Sequence, residues 1–236
     1  MHTVLGADTG DPAFCPETPS VESLGLLTAT VDEEIESVFL ALPEDDDQLA
    51  PILGRGEEVR EQLRMLTHAG SVGKVIRTHG DYHLGQTLWK PQEPTAPGLI
   101  GALETPRGGD WVILDFEGEP ARALIERRRK RSPLRDVAGM LRSFAYVAIA
   151  AELERGTPAP DGWEEQARSQ FLEGYLNTVD PALMPSGSLA IERLLAVFEL
   201  EKAVYELRYE LDNRPDWVRI PVAGIQRLIE EATTTT

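Results

Sequence analysis

The residues best suited to chemistry lie in one short segment, Arg77–Gln86, with the sequence Arg-Thr-His-Gly-Asp-Tyr-His-Leu-Gly-Gln. Asp81 is a carboxylate that can accept a hydrogen bond from a substrate hydroxyl and take its proton during group transfer. Gln86 follows shortly after it and offers an amide oxygen, a ligand type that Mg²⁺ accepts. An alternative interpretation is a tight turn, in which Gly80 and Gly85 permit the geometry and the polar groups cap the backbone.

A second acidic segment further along the chain has the form of a metal site. The run Trp111–Gly118 places Asp115 at the end of an apolar strand. Because the strand fixes the backbone, a carboxylate at its end can hold a Mg²⁺ ion that bridges nucleotide phosphates. Taken alone, this run is equally consistent with a surface loop.

The two segments together are far more specific than either one. Catalytic loops of protein kinases have the pattern His, any residue, Asp, four residues and Asn, and their metal motif is Asp-Phe-Gly. His79, Asp81 and Gln86 have the loop spacing, and Asp115 begins a motif that differs by the insertion of Glu117. The pair of segments predicts phosphoryl transfer, with Asp81 as the catalytic base and with Gln86 and Asp115 as metal ligands.

Helical patterns precede the catalytic segment. Residues 1–30 show no sustained periodicity and are predicted to form a flexible or loosely packed lead-in. The domain that contains the site is predicted to extend over 31–236. Its first helix has helical spacing of apolar residues from Ile35 to Leu42, with Asp32 as the cap, and a second helix is predicted over Glu57–His68.

The pattern changes to strands in the middle of the chain and back to helices after Arg135. Two short apolar runs, Gln86–Trp89 and Trp111–Phe116, predict a small β element, with further strand residues around Leu99–Leu103. The helical block spans 135–233, and its longest helix is predicted over 188–212. The fold class that follows is α+β, mostly α-helical.

Charge and composition exclude several classes of function. The formal net charge of -17 disfavours binding to nucleic acid or to an anionic membrane. No apolar run is long enough to span a membrane and no signal peptide is visible, so the cytoplasm is the expected location. A single cysteine, Cys15, cannot form an internal disulfide. The basic run Arg127–Arg131 is either a solvated helix end or an anion-attracting patch near the site.

Three segments resemble the maltokinases, which belong to the wider aminoglycoside-phosphotransferase-like and protein-kinase-like superfamily. These segments are His79–Gln86, Asp115–Pro120 and Ser132–Phe144. The resemblance implies transfer of the γ-phosphoryl group of ATP to the anomeric hydroxyl of maltose, with Mg²⁺ required. It also implies that His79 and His83 bind the cofactor together with Gln86, and that Glu117 is a further metal ligand beside Asp115.

A later segment, Glu201–Glu210, resembles the helix that lines the sugar site of that family. Because burial of an unpaired ammonium group is costly, a lysine within an apolar and aromatic stripe either extends that group to solvent or meets a polar ligand or a carboxylate. The resemblance to the sugar-lining helix implies that Lys202, Tyr205 and Tyr209 bind the sugar. Packing in the core is an equal alternative for the two tyrosines.

The resemblance also predicts an incomplete kinase. The residues before His79 are too few for an amino-terminal lobe that grips ATP, so we expect a protein-kinase-like carboxy-terminal lobe with a small β-hairpin at the active site and the amino-terminal lobe absent. A separate chain could supply that lobe, and a trehalose-synthase-type enzyme is a second expected partner. Two other functions remain open at this point: another small-molecule phosphotransferase, such as an aminoglycoside kinase, or a non-catalytic binding module.

Overall fold

In the computed structural model, which describes residues 1–66, 72–91, 109–120 and 122–234, the protein is mostly α-helical with one two-stranded sheet. None of the helices in those residues is long and apolar enough to cross a membrane. In chain order the elements are α1 (His2–Leu5), α2 (Val21–Leu40), α3 (Gly56–Leu66), β1 (Thr87–Pro91), β2 (Gly109–Ile113), α4 (Leu124–Arg127), α5 (Leu134–Arg155), α6 (Trp163–Leu176), α7 (Ser188–Asn213) and α8 (Arg219–Thr234).

Helix α7 lies between two hydrophobic cores and contributes a different face to each. Its residues Leu200, Val204 and Leu207 are buried in a core formed with α2, α3 and α8. Leu194 and Phe198 are buried in a second core formed with α5 and the catalytic segment. The spacing of three and four residues within the first set places it on one face, which is how one helix can serve two layers.

The β-hairpin is the exposed edge of the structure. Strands β1 and β2 are antiparallel, with Thr87 opposite Ile113 and Trp89 opposite Trp111. The two indole rings meet edge to face, with centroids 5.3 Å apart. The strand residues predicted around Leu99–Leu103 lie outside the described residues.

The largest difference from the sequence prediction is near the amino terminus. The segment 1–30 contains α1 and the first half of α2, and α2 begins at Val21 instead of near Asp32. Asp32 lies inside α2, where it forms an ion pair with Arg60 at 2.7 Å. Gly25 and several threonines lower the helix propensity here, but packing of Leu27 against both cores overrides that local preference.

The other predicted helices agree more closely with the structure. The helix predicted over Glu57–His68 is α3 as far as Leu66, and its last two predicted residues lie outside the described part of the chain. Helix α7 covers the predicted 188–212. The last helix, α8, begins at Arg219.

A buried ion pair joins α5 to α7. Arg142 is 1% exposed, and its Nε and Nη2 atoms donate to Oε2 of Glu206 at 2.9 and 2.6 Å. Its remaining nitrogen, Nη1, faces α8, where a Cβ atom at Gly224 would lie only 2.0 Å from it. The glycine therefore makes room for the guanidinium group between three helices.

Replacement of Arg142 with Met should lower the free energy of unfolding by about 3 to 5 kcal/mol, because Glu206 would be left as an uncompensated buried charge. The double variant Arg142→Met with Glu206→Met should recover most of that loss. Urea unfolding monitored by circular dichroism measures both. Arg155→Met, at the exposed end of the same helix, is the control and should change stability by less than about 0.5 kcal/mol. Equal losses in the single and double variants would contradict this account.

Candidate active site

The loop that carries Asp81 is held from behind by the side chain of Asp136 in the first turn of α5. Its Oδ2 accepts a hydrogen bond from the backbone N–H of His79 at 2.7 Å, and its Oδ1 accepts one from the N–H of Gly80 at 2.9 Å. Asp136 is only 3% exposed. Gly80 has a φ of 85°, a left-handed conformation that favours glycine. Two charge-assisted hydrogen bonds thus fix the backbone directly before Asp81.

A second buried contact supports Asp136 from the start of the chain. Nε2 of His2 lies 3.0 Å from Oδ2 of Asp136, and Nδ1 of His2 lies 2.9 Å from the hydroxyl of Tyr175. Burial and the neighbouring Asp136 raise the pKa of Tyr175. Sequence reasoning missed all three residues, because a histidine near a terminus and a tyrosine in a helix carry no signal of their pairing.

His79 connects the loop to the strand end that carries Asp115. Its Nε2 is 2.6 Å from the carbonyl oxygen of Leu114, and its Nδ1 accepts the N–H of Asp81 at 3.3 Å. The ring is 1% exposed and packs 4.9 Å from that of Phe116. Both ring nitrogens have protein partners, so these contacts suit a positioning residue better than the predicted contact with a cofactor.

The structure brings two of the three predicted metal ligands together. Nε2 of Gln86 donates to Oδ2 of Asp115 at 3.2 Å, and the backbone N–H of Leu114 donates to the carbonyl of Gln86 at 2.9 Å. With the Gln86 amide turned over, its oxygen and the Asp115 carboxylate would face one cation, and both are hard oxygen ligands that fit Mg²⁺. Asp115 has a φ of 61°, a strained value for a residue with a side chain.

Glu117, the third predicted metal ligand, is exposed. Its carbonyl oxygen accepts a hydrogen bond from Arg127 at 3.3 Å. Among the described residues, no three His, Cys, Asp or Glu side chains are grouped as they would be around a metal ion. Gln86 and Asp115 thus lie together, and the roles of these two residues and of Glu117 as metal ligands stay predictions.

Asp81 lies partly buried where the loop meets α7. Burial raises the pKa of its carboxyl group, but His83 and Lys202 lower it by more, so that this pKa lies below its ordinary value. Nε2 of His83 is 3.8 Å from the Asp81 carboxylate, while its Nδ1 accepts the N–H of Gly85 at 3.0 Å. Asp81 is therefore ionised over the physiological range and ready to accept a hydrogen bond.

A cavity of about 450 Å³ opens beside Asp81. The three residues predicted to bind the sugar all line it, and acidic side chains that the sequence did not single out form much of its remaining wall. The charged and aromatic residues around it are Asp81, His83, Glu119, Tyr146, Lys202, Tyr205, Glu206, Tyr209, Glu210 and Arg214.

Tyr205 lines the cavity and contacts the segment that follows Asp115. Its hydroxyl donates to Glu119, and burial together with this hydrogen bond raises the pKa of Tyr205 to about 12. Burial raises the pKa of Glu119, but hydrogen bonds from Tyr205 and Arg122 lower it by more, so Glu119 stays ionised. Nζ of Lys202 lies 5.3 Å from the centre of the Tyr205 ring, a distance suited to a cation–π contact.

The fold of this chain is shared with glucosamine kinases of known structure. A glucosamine kinase in complex with glucosamine, ADP and inorganic phosphate superimposes with a TM-score of 0.74 at 20% identity, over 96% of this chain and 48% of that one. Another crystal form of a glucosamine kinase gives a TM-score of 0.73 at 20% identity, over 97% and 49%. These likenesses establish the fold.

Two curated relatives are also glucosamine kinases. The enzyme of Mycolicibacterium smegmatis is 28% identical over 235 residues, which cover 97% of this chain and 51% of the relative. The enzyme of Streptacidiphilus jiangxiensis is 26% identical over 235 residues, which cover 98% and 47%. The chain thus spans about half the length of the curated relatives it matches. No family model matches it.

These comparisons correct the family assignment made from the sequence. The resemblance to maltokinases is wrong, because the relatives and the structural neighbours are glucosamine kinases. Maltose and a trehalose-synthase-type enzyme are therefore wrong as substrate and partner. The protein-kinase-like lobe without its amino-terminal lobe is likewise unsupported as a description of the fold. The error arose because a short loop motif and a strand-end aspartate do not by themselves define a fold or a substrate.

Replacement of Asp136 with Asn should loosen the catalytic loop, because a neutral amide cannot accept both backbone hydrogen bonds. We expect a loss of about 2 to 3 kcal/mol in the free energy of unfolding. Amide hydrogen exchange should be faster at His79 and Gly80 than at the core of α7. The exposed Asp161→Asn variant should leave both quantities unchanged. Retained protection at His79 and Gly80 in Asp136→Asn would contradict the assigned role.

Replacement of Lys202 with Met should raise the pKa of Asp81, because a cation that favours the carboxylate form is removed. Titration of the ¹³C-labelled Asp81 carboxyl group by NMR measures the shift. The group would then lose its charge at a higher pH, so any activity that needs the carboxylate should fall off at a higher pH on the acid side. Lys90→Met, on exposed β1, is the matched control. An unchanged titration in Lys202→Met would show that the ammonium group does not act on Asp81.

Proposed function

We propose that the chain is part of an ATP-dependent sugar kinase that uses Mg²⁺, and that its acceptor is an amino sugar of the glucosamine type. The observation that carries the proposal is the position of Asp81. On one side it borders the cavity, and on the other side its loop places Gln86 against Asp115. The half-length match to glucosamine kinases supports the same class of reaction.

In this proposal Asp81 accepts a hydrogen bond from the acceptor hydroxyl and takes its proton as the hydroxyl oxygen bonds to the γ-phosphorus of ATP. The bond from that phosphorus to the oxygen bridging it to the β-phosphate breaks, and ADP leaves. His79 and Asp136 keep the loop backbone in place, so that the carboxylate needs no rearrangement before it acts. Gln86 and Asp115 would hold Mg²⁺, which neutralises charge on the nucleotide phosphates when bound. A structural neighbour has ADP bound, which supports ATP as the co-substrate.

The charge of the cavity supports an amino sugar over a neutral one. Asp81, Glu119, Glu206 and Glu210 line it, and only Lys202 and Arg214 among its lining residues carry a permanent positive charge. Each of the three glutamates already accepts a hydrogen bond from an arginine, from Arg122, Arg142 and Arg214 in that order. Oε2 of Glu206 accepts both hydrogen bonds from Arg142, and Oε1 is left to accept others. An ammonium group on the sugar would therefore gain a favourable electrostatic interaction that a hydroxyl group would not.

The test is a chimera in which this chain replaces the segment it matches in the Mycolicibacterium smegmatis enzyme. We expect Mg²⁺-dependent transfer of phosphate from ATP to glucosamine, observed by ³¹P NMR, and weaker transfer to glucose and N-acetylglucosamine. Asp81→Asn should lower kcat by about 100-fold or more, because the proton acceptor is lost. The exposed Asp212→Asn variant is the control.

The native chain assayed alone shows how much activity resides in it. A folded chimera that transfers no phosphate to any of the three sugars would contradict the proposal. Full activity of the Asp81→Asn chimera would remove Asp81 from the mechanism.

A further inference from the structure

A pocket lined by five arginines lies beside the candidate active site. The carboxylates of Asp81, Glu119, Glu126, Asp136 and Glu201 line it as well, so the charge that a ligand meets depends on which arginines are paired. The pocket shares Asp81, Glu119, Lys202 and Tyr205 with the sugar cavity. Neither Gln86 nor Asp115 lines it, so it is distinct from the proposed metal site. Its arginines are Arg122, Arg127, Arg129, Arg131 and Arg135.

Two of these arginines are neutralised within the protein. Nε of Arg122 donates to Glu119 at 2.8 Å, and Nη2 of Arg135 donates to Glu201. Both pairs hold their guanidinium groups at the pocket wall. They leave little charge free to attract a ligand.

The other three have no carboxylate partner within the described residues. Arg127 donates only to the carbonyl oxygen of Glu117, and its buried Nε has no hydrogen-bond partner there. The side chains of Arg129 and Arg131 form neither an ion pair within 4.0 Å nor a hydrogen bond in that part of the chain. The hydroxyl of Thr78, which also lines the pocket, is likewise without a described partner.

This arrangement carries an electrostatic cost while the pocket is empty of anions. Burial and the guanidinium groups of Arg135 and Arg122 lower the pKa of Arg131 to about 10. Neighbouring like charges repel one another, and an anion bound among them would relieve that repulsion. The planar guanidinium group of arginine can donate two parallel hydrogen bonds to the oxygens of a phosphate group, so phosphate should bind more tightly than chloride.

We propose that the pocket formed by Arg127, Arg129, Arg131 and Thr78 binds a phosphate dianion, either free or as the monoester of a sugar. The monoester would place its sugar ring toward the cavity, since the two spaces meet at Asp81 and Lys202. The proposal goes beyond the kinase function, because binding requires neither a nucleotide nor a metal ion.

The test is isothermal titration calorimetry of the 236-residue chain in EDTA at constant ionic strength. The probes are inorganic phosphate, glucosamine 6-phosphate and phosphate-free glucosamine. We expect saturable binding of at least one phosphate compound. Arg131→Met should weaken it by about tenfold, the value of one charge-assisted hydrogen bond. Arg128→Met is the matched control, because Arg128 is exposed and does not line the pocket.

Folding of the variant can be checked separately. Arg131→Met should unfold in urea at an unchanged or higher concentration without phosphate, because repulsion is relieved. If that variant does not fold, the exposed Arg129→Met takes its place and should also weaken binding.

Tighter binding of glucosamine 6-phosphate than of inorganic phosphate, with competition by glucosamine, would identify a sugar phosphate site. Equal affinities would identify a site for free phosphate. Absence of saturable binding by both compounds, or an equal loss in Arg128→Met, would overturn the proposal. Because no ATP or Mg²⁺ is present, failure of the kinase assay would leave this result unaffected.

Discussion

The arrangement of the site depends on one buried negative charge, the carboxylate of Asp136. It accepts the N–H groups of the two residues before Asp81 and touches His2 as well, so three separate parts of the chain meet at one side chain. Burial of a carboxylate is costly unless its oxygens are well satisfied, and here each oxygen has a donor. Because the buried carboxylate must keep these donors, it holds the loop in one conformation. A solvent-exposed carboxylate could accept hydrogen bonds from water instead and would not fix the loop.

Asp136 thus helps to position residues on two sides of the loop. Toward the hairpin, the ring of His79 contacts the carbonyl oxygen of Leu114, and Gln86 lies beside Asp115. Helix α7 bounds the other side with Lys202 and Tyr205, and its own position is fixed because it is buried in both cores. Tyr82 and Leu84 of the loop pack against the second core, so the order of the loop depends on the helices around it. The site is therefore a feature of α5 and α7 as much as of the loop that bears Asp81.

Local sequence patterns predicted which residues of the site lie together, but they indicated the wrong family. The spacing of Gln86 and Asp115 indicated a shared site, and the structure places them 3.2 Å apart. The sequence could not reveal His2, because its partner Asp136 is far away in the chain and no periodicity links them. It also misplaced the start of α2, where tertiary packing outweighs weak helix propensity. The family was misassigned because short loop motifs recur among kinases with different acceptors, whereas similarity along the whole chain distinguishes them.

The division of α7 into two faces has an evolutionary consequence. Residues that hold the helix in the cores, such as Leu200 and Leu207, are fully buried, whereas those that face the cavity, such as Tyr209, retain access to solvent. Under the proposed function, substitutions on the second face would change contacts with the acceptor at little cost to the fold, since surface changes rarely alter stability by much. Natural variants could then shift from one sugar to another while α7 stays in place, and Glu206, which pairs with the buried Arg142 and also lines the cavity, should be the slowest position to diverge.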